Sequence, residues 1–281
     1  MKLKYILSMA ALVALMASCS KGSGEGTDEN ADSTNSMVNS GESYTFTKMT
    51  ASRSVSLEGT ADDYGMQSDA IYTDSVSLMM PVSMGKADVG PLQNAILNKA
   101  FGMTGGDAME VMTNFMKQDA DSLGYTVKEV TTVSLLESQG YNLVSGQVVY
   151  LSGNWMSYCV SGEQYYPAAA HGMPFKQYVN YSLTDNRVMN LADVIEPSKN
   201  ADLLKSIQDR AKEMEDAIGP TSITELPSDG NFYLNSDSEL VFVYQPYEVA
   251  SYAQGFISIP LYPYEISQCL TPAAKTMFNL N

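Results

Sequence analysis

The sequence predicts an α+β protein built largely from antiparallel sheets with helices packed against them, as one large domain or two small lobes. Period-two strands come first, two capped helices follow, and strands then dominate again. Elements thus arrive in blocks, without the regular βαβα alternation of a doubly wound sheet. Tyr44–Met49, Ser52–Glu58 and Ile71–Leu78 alternate apolar and polar side chains and are rich in Thr, Val and Tyr, the pattern of half-buried strands.

Pro91 opens a helical segment in which Leu92, Ala95, Ile96 and Ala100 share a face; a proline in the first turn sacrifices no intrahelical bond. A second helix is expected from about Asp107 to Leu123, with Asp107 as its cap and Met109, Met112, Met116 and Ala120 on one stripe. Methionines at that spacing read as core filler. Strands are expected at Tyr125–Val133, Leu143–Leu151 and Trp155–Val160, the last two joined by a tight turn at Ser152-Gly153-Asn154, and again at Lys176–Leu183. A helix over Ser198–Ile218 ends at Gly219-Pro220, a helix stop. Phe232–Leu234 and Leu240–Tyr244 read as a hairpin, Gly255–Pro260 as a strand and Tyr264–Leu270 as a short terminal helix.

The first residues resemble a bacterial lipoprotein export signal. Lys2 and Lys4 precede an apolar run from Ile6 to Met16, and Leu15-Met16-Ala17-Ser18-Cys19 is similar to a lipobox. The run is too short to span a bilayer, which takes about twenty apolar residues. Residues 1–18 are therefore expected to be a signal peptide and Cys19 the lipidated first residue of the mature chain. Ser20 after the cysteine points to the outer membrane, on its periplasmic face or at the cell surface. Residues 19–42 are rich in Gly, Ser and acidic side chains and read as a disordered linker. Residues 43–124 are expected to form the first lobe and 125–281 the second.

The chain carries 16 Lys+Arg against 32 Asp+Glu. Without Lys2 and Lys4 the formal charge becomes −18. Such a surface repels nucleic acid, stays soluble and attracts basic proteins over roughly 10 Å. Cys159 and Cys269 both lie among apolar residues. They read as buried thiols, with a disulfide the alternative that an oxidising compartment permits.

One histidine in the chain removes multi-histidine zinc sites and HExxH. GxSxG, Walker and dinucleotide-binding glycine motifs are also lacking. No cofactor is expected. A pair of carboxylates brought together by the fold would still allow peptidoglycan or carbohydrate hydrolysis. His171 sits in Ala168-Ala169-Ala170-His171-Gly172. It is read either as a ligand-contacting or pH-sensing imidazole or, preferably, as a residue that bonds the backbone and locks its loop, with Gly172 permitting close approach. Tyrosines concentrate in Tyr244–Gly255 and Tyr262–Tyr264. Binding surfaces and ordinary sheet rims both use tyrosine in this way.

Ala168–Gly172, Tyr178–Leu183 and Asn190–Val194, together with Leu240-Val241-Phe242-Val243-Tyr244-Gln245-Pro246-Tyr247-Glu248 and Tyr252–Gly255, resemble the motifs of the RsiV/PdaC-type domain of unknown function. That family includes the extracellular part of a lysozyme-sensing anti-sigma factor. The resemblance covers about residues 125 to 270. It implies a two-part α+β domain without a catalytic centre, in a cell-envelope setting, with His171, Gly172, Tyr247, Glu248, Tyr252 and Gly255 as candidate contact or motif residues. Ala168 and Ala169 stand where the family pattern has glycines. The chain shows neither a transmembrane helix nor a deacetylase module, so a binder or scaffold is expected. Its partner would be a basic, lysozyme-like protein or peptidoglycan, with a purely structural envelope role as the remaining reading.

Overall fold

The computed structural model describes residues 34–39, 42–58 and 70–280. The expected export signal, Cys19, and residues 19–33 and 40–41 of the expected linker lie outside the described residues. The compact unit runs over residues 33–281.

A long antiparallel pair, β2 (Glu42–Glu58) and β3 (Ala70–Met84), starts the large sheet. β2 is one strand where the sequence suggests two, because Thr50–Ser52 continue the ladder opposite Ser75–Ser77. β1 (Thr34–Asn39) pairs with residues 42–47 along the other edge of β2. A strand therefore occupies part of the segment expected to be linker. Its side chains are mostly polar and its pairing is made by the main chain, which composition cannot reveal. β4 (Thr126–Glu129) occupies the same edge at the opposite end of β2. It stops short of Val133 because the Val133 N–H donates to the Ser54 side chain instead of continuing the ladder.

Between β3 and β4 lie α1 (Gly90–Phe101) and α2 (Ala108–Ser122). Pro91 stands in the first turn of α1, and Gly102, at φ 68°, ends it in the left-handed conformation. The Asp107 carboxylate caps α2, accepting from the N–H groups of Met109 and Glu110. Met112 and Met116 are buried, whereas Met109 is exposed.

β5 (Gly140–Ser152) and β6 (Trp155–Tyr165) form a hairpin, followed by β7 (Met173–Ser182) and β8 (Arg187–Met189). The sheet order is β1-β2-β3-β5-β6-β7-β8. All pairs are antiparallel except β3 with β5, which is parallel from Tyr72↔Gly140 to Leu78↔Gly146. That pairing is available because the chain crosses over through α1 and α2. It also places the expected boundary at 124/125 inside one continuous sheet.

The C-terminal part adds α3 (Leu191–Val194), α4 (Asn200–Glu213), α5 (Glu215–Ile218) and a small antiparallel sheet. That sheet contains β9 (Phe232–Leu234), β10 (Leu240–Tyr244) and β11 (Ile257–Leu261), with β10 central. The terminal helix falls later than expected, as α6 (Pro272–Met277), with the Thr271 hydroxyl capping the Ala274 N–H. Thr-Pro supplies both a cap and a first-turn proline.

Alternation along β6 divides the core. Met156, Tyr158 and Val160 face α1 and α2, in a cluster with Leu92, Ile96 and Met112. Trp155 faces the other way, in a cluster with Phe232, Phe242, Ile207 and Leu261. Two cores thus share one sheet as their common wall, which is why no division of the chain separates them. Cys159 and Cys269 are buried free thiols, and burial raises the pKa of both.

Candidate partner-binding surface

The loop between β6 and β7 and the segment after β10 meet at one end of the large sheet. His171 Nδ1 lies 2.9 Å from the Gly172 carbonyl oxygen and Nε2 3.1 Å from the Tyr247 hydroxyl. A carbonyl only accepts, so the partners assign the proton to Nδ1, and in the neutral ring Nε2 accepts from Tyr247. The Tyr252 hydroxyl donates to the same Gly172 oxygen at 2.7 Å, and its ring stacks on the imidazole with centroids 3.9 Å apart. Tyr247 completes the group, 5.5 Å from the Tyr252 ring. Sequence segments some eighty residues apart therefore converge here, and four of the candidate residues touch directly.

Glycine at 172 lets the backbone pass close to Glu163, whose carboxylate a Cβ there would displace. Glu163 also accepts from the Tyr141 hydroxyl at 3.4 Å. Burial first, and then the Glu163 charge, pushes the Tyr141 hydroxyl up to about 12. The same causes, with Tyr247 a further one, raise Tyr252. Tyr165 packs on Tyr141, ring centroids 5.6 Å apart, and donates to the Ala169 carbonyl. The Glu163 carboxylate thus lies beside the Tyr141 and Tyr252 rings of this aromatic cluster, a combination that attracts an ammonium or guanidinium both through charge and through the ring faces.

Backbone conformation at this surface is unusual. Tyr247 adopts φ 70° and is 57% exposed, and Ala168 adopts φ 64° where the resembled pattern has a glycine. A left-handed, non-glycine residue costs about 1–3 kcal/mol, so the surroundings must hold Tyr247 in place. Glu248 does so. Its carboxylate accepts from the Gln245 N–H, the Ser228 N–H and the Ser228 hydroxyl at 2.7, 2.7 and 2.8 Å. Gly255, at φ 68° and ψ −143°, ends the short 3₁₀ turn Tyr252–Gln254 in a conformation open essentially to glycine alone.

The geometry divides the candidates: His171, Tyr247 and Tyr252 present rings, while Gly172, Glu248 and Gly255 shape the backbone beneath them. Glu248→Ala is expected to lower stability by about 2 kcal/mol, since two main-chain N–H groups lose a charged acceptor. Tyr247→Ala is expected to stay within about 1 kcal/mol of the parent, as an exposed residue. Chemical denaturation checks both, and an unchanged midpoint for Glu248→Ala would refute the assignment. Sequence reasoning missed Glu163, Tyr141 and Tyr165, whose proximity to the motif depends on the β5–β6 pairing of Tyr141 with Tyr165.

The structure also supplies a carboxyl pair that no motif announces. Asp74 on β3 is 1% exposed, and neither of its oxygens meets an N–H or O–H donor among the described residues. Its neighbour is Asp119 of α2, which accepts from the Tyr72 hydroxyl at 2.8 Å and the Gln164 amide at 3.0 Å. Burial first, and then the Asp119 charge, push the Asp74 carboxyl up to about 9, against the opposing pull of Arg53. Asp74 therefore keeps its proton at neutral pH. Asp119, through Tyr72 of β3 and Gln164 of β6, fastens α2 to the sheet. Among the described residues no group of three His, Cys, Asp or Glu side chains is arranged to hold a metal ion, and no helix is long and apolar enough to cross a membrane.

No curated protein matches the chain. Among solved structures, a member of the DUF3298 family from Bacteroides fragilis NCTC 9343 is similar, with 16% identity and a TM-score of 0.62, over 85% of this chain and 97% of that one. A DUF3298 family protein from Pseudomonas aeruginosa PAO1 matches with 12% identity and a TM-score of 0.48, over 81% of this chain and 95% of that one. The first likeness shows a shared fold. Residues 190–264, which carry Tyr247, Glu248, Tyr252 and Gly255, match the family model described as "Protein of unknown function (DUF3298)".

Proposed function

We propose that this is a non-enzymatic binding protein of the cell envelope, tethered to the outer membrane by lipid on Cys19, whose acidic domain captures a basic protein of lysozyme type. The observation that carries the reading is the surface at His171, Tyr247 and Tyr252. It joins a strained, exposed tyrosine to a stacked imidazole–phenol pair around the Glu163 carboxylate. An arginine or lysine of a basic partner fits between that carboxylate and the rings. The formal charge of −16 for the whole chain steers such a partner toward it. The resemblance to the RsiV/PdaC-type family supports the same partner class.

Titration of a basic lysozyme into the protein by calorimetry at low salt tests the proposal. Binding is expected to weaken steeply with salt and to fall about tenfold, or about 1.4 kcal/mol, in Tyr247→Ala. Absence of heat, together with unimpaired lysozyme activity, would remove this partner. Turnover of purified peptidoglycan that persists in EDTA would instead favour a hydrolase.

A further inference from the structure

A second site lies at the opposite end of the β5–β6 hairpin. β6 runs from Trp155 to Tyr165, and at about 3.3 Å per residue its ends are roughly 30 Å apart. At the Trp155 end a groove of about 330 Å³ is walled by the rings of Tyr150, Trp155, Tyr262, Tyr264 and Phe278. Its remaining polar lining comes from Ser152, Asn154, Ser238 and Asn279, and no charged side chain lines it among the described residues. The volume falls at the lower end of the range of about 300–1,000 Å³ typical of ligand sites.

The aromatic wall is preorganised. Tyr262 and Tyr264 stack with centroids 5.3 Å apart and planes inclined by 15°. Pro263 between them is buried and fixes its own φ. The Tyr262 N–H donates to the Glu265 carboxylate at 2.8 Å, and Glu265 is paired with Arg210 of α4. Tyr264, 62% exposed, is therefore a water-facing ring already held in place, so covering it costs little side-chain entropy. The Trp155 indole N–H is directed inward to Ser157 Oγ and Asn180 Oδ1, and its ring, 1% exposed, forms the buried floor of the groove. Ser238 and Asn279, at φ 63° and 55°, border the groove in left-handed conformations, the kind of backbone strain that gathers at ligand sites.

Flat rings beside neutral amides and hydroxyls match a pyranose, which offers an apolar C–H face and a rim of hydroxyls. No cationic side chain lines the groove among the described residues to neutralise an anion. The Glu239 carboxylate, the main cause of the raised Tyr262 hydroxyl, adds negative potential that rejects acidic sugars and nucleotides. We propose that this groove binds a neutral saccharide, with one pyranose ring stacked on the Tyr262–Tyr264 pair. The inference does not rest on capture of a basic protein at the His171 surface.

Trp155 is the one tryptophan of the chain, so its emission reports on this groove. The full chain is titrated with cellohexaose, maltohexaose, mannohexaose and the hexamer of N-acetylglucosamine, with hexagalacturonate as the anionic control. A saturable change with at least one neutral oligosaccharide is expected, weakened about tenfold in Tyr264→Ala at an unchanged melting temperature. The change should be retained in Tyr264→Phe and in Tyr247→Ala, and absent with hexagalacturonate. No saturable change with any neutral probe would overturn the proposal. So would an undiminished response in Tyr264→Ala or an equal response to the acidic hexamer.

Discussion

Replacing Asp74 with asparagine is expected to stabilise the protein, by a margin that widens as pH rises. The Asp74 carboxyl has a folded-state pKa of about 9 against an ordinary value of 3.8, because burial and the neighbouring Asp119 charge both penalise its ionisation. Between those values the unfolded chain has released this proton and the folded one still holds it. Its contribution to stability is thus fully present below pH 3.8 and is lost as pH rises through about 9, at about 1.4 kcal/mol per pH unit. Asparagine carries no such proton and stays neutral across this range. The difference between variant and parent should be small near pH 4 and on the order of 4 kcal/mol at pH 7. Urea denaturation at acidic, neutral and mildly alkaline pH measures it. A parent whose stability does not fall over this range, or a variant weaker than the parent at pH 7, would refute the buried-proton account. Because an ionised Asp74 repels Asp119, which bonds α2 to Tyr72 and Gln164, hydrogen exchange in α2 should quicken with alkalinity beyond its intrinsic rate in the parent and not in Asp74→Asn.

Asn231→Ala is expected to be the most damaging single truncation outside the apolar cores, lowering stability by about 3–5 kcal/mol. Residues 173–179 of β7 lack a ladder partner on the side away from β6, since β8 pairs only with residues 180–182. Side chains from the small sheet take the place of the missing strand. Asn231 Oδ1 accepts from the Tyr178 N–H, while its Nδ2 donates to the carbonyls of Lys176 and Val243. Gln245 both accepts from the Lys176 N–H and donates to the Lys176 carbonyl. Asn180 continues the seam through its bond to the Phe232 carbonyl. Alanine at 231 takes the side-chain partner from the Tyr178 N–H and the Val243 carbonyl in a 5% exposed position, each costing about 1–3 kcal/mol, while the Lys176 carbonyl keeps only Gln245. It also frees part of a strand edge, and free edges promote association. Chemical denaturation and light scattering on warming check the two effects. A loss below about 1 kcal/mol would show that water replaces the amide.

These two sites mark where sequence reasoning stops. The pairing of Asp74 with Asp119, and the service that Asn231 performs for β7, join elements far apart in the chain, and single acidic or amide residues carry no local signature of either. The recognition surface was more legible. His171, Gly172, Tyr247, Glu248, Tyr252 and Gly255 stand out in the sequence and cluster in space, yet Glu163 and Tyr141, which give the surface its charge and depth, do not. The saccharide groove was legible only as a run of tyrosines around Tyr262–Tyr264. Its walls come from the β5–β6 turn, the β9–β10 turn, the segment after β11 and the end of α6.

Periodicity, caps and turn residues act within a few positions of one another, so the α+β class, the strand-rich blocks, the helix starts at Pro91 and Asp107, and the hairpins are readable along the chain. Long-range packing sets the rest: β1 joins the sheet, β3 meets β5 in parallel, the two expected lobes share one wall, and polar groups far apart in the chain are buried together. Those outcomes follow from main-chain hydrogen bonds and desolvated polar groups that must find partners wherever the chain brings them, a requirement that acts across the whole molecule.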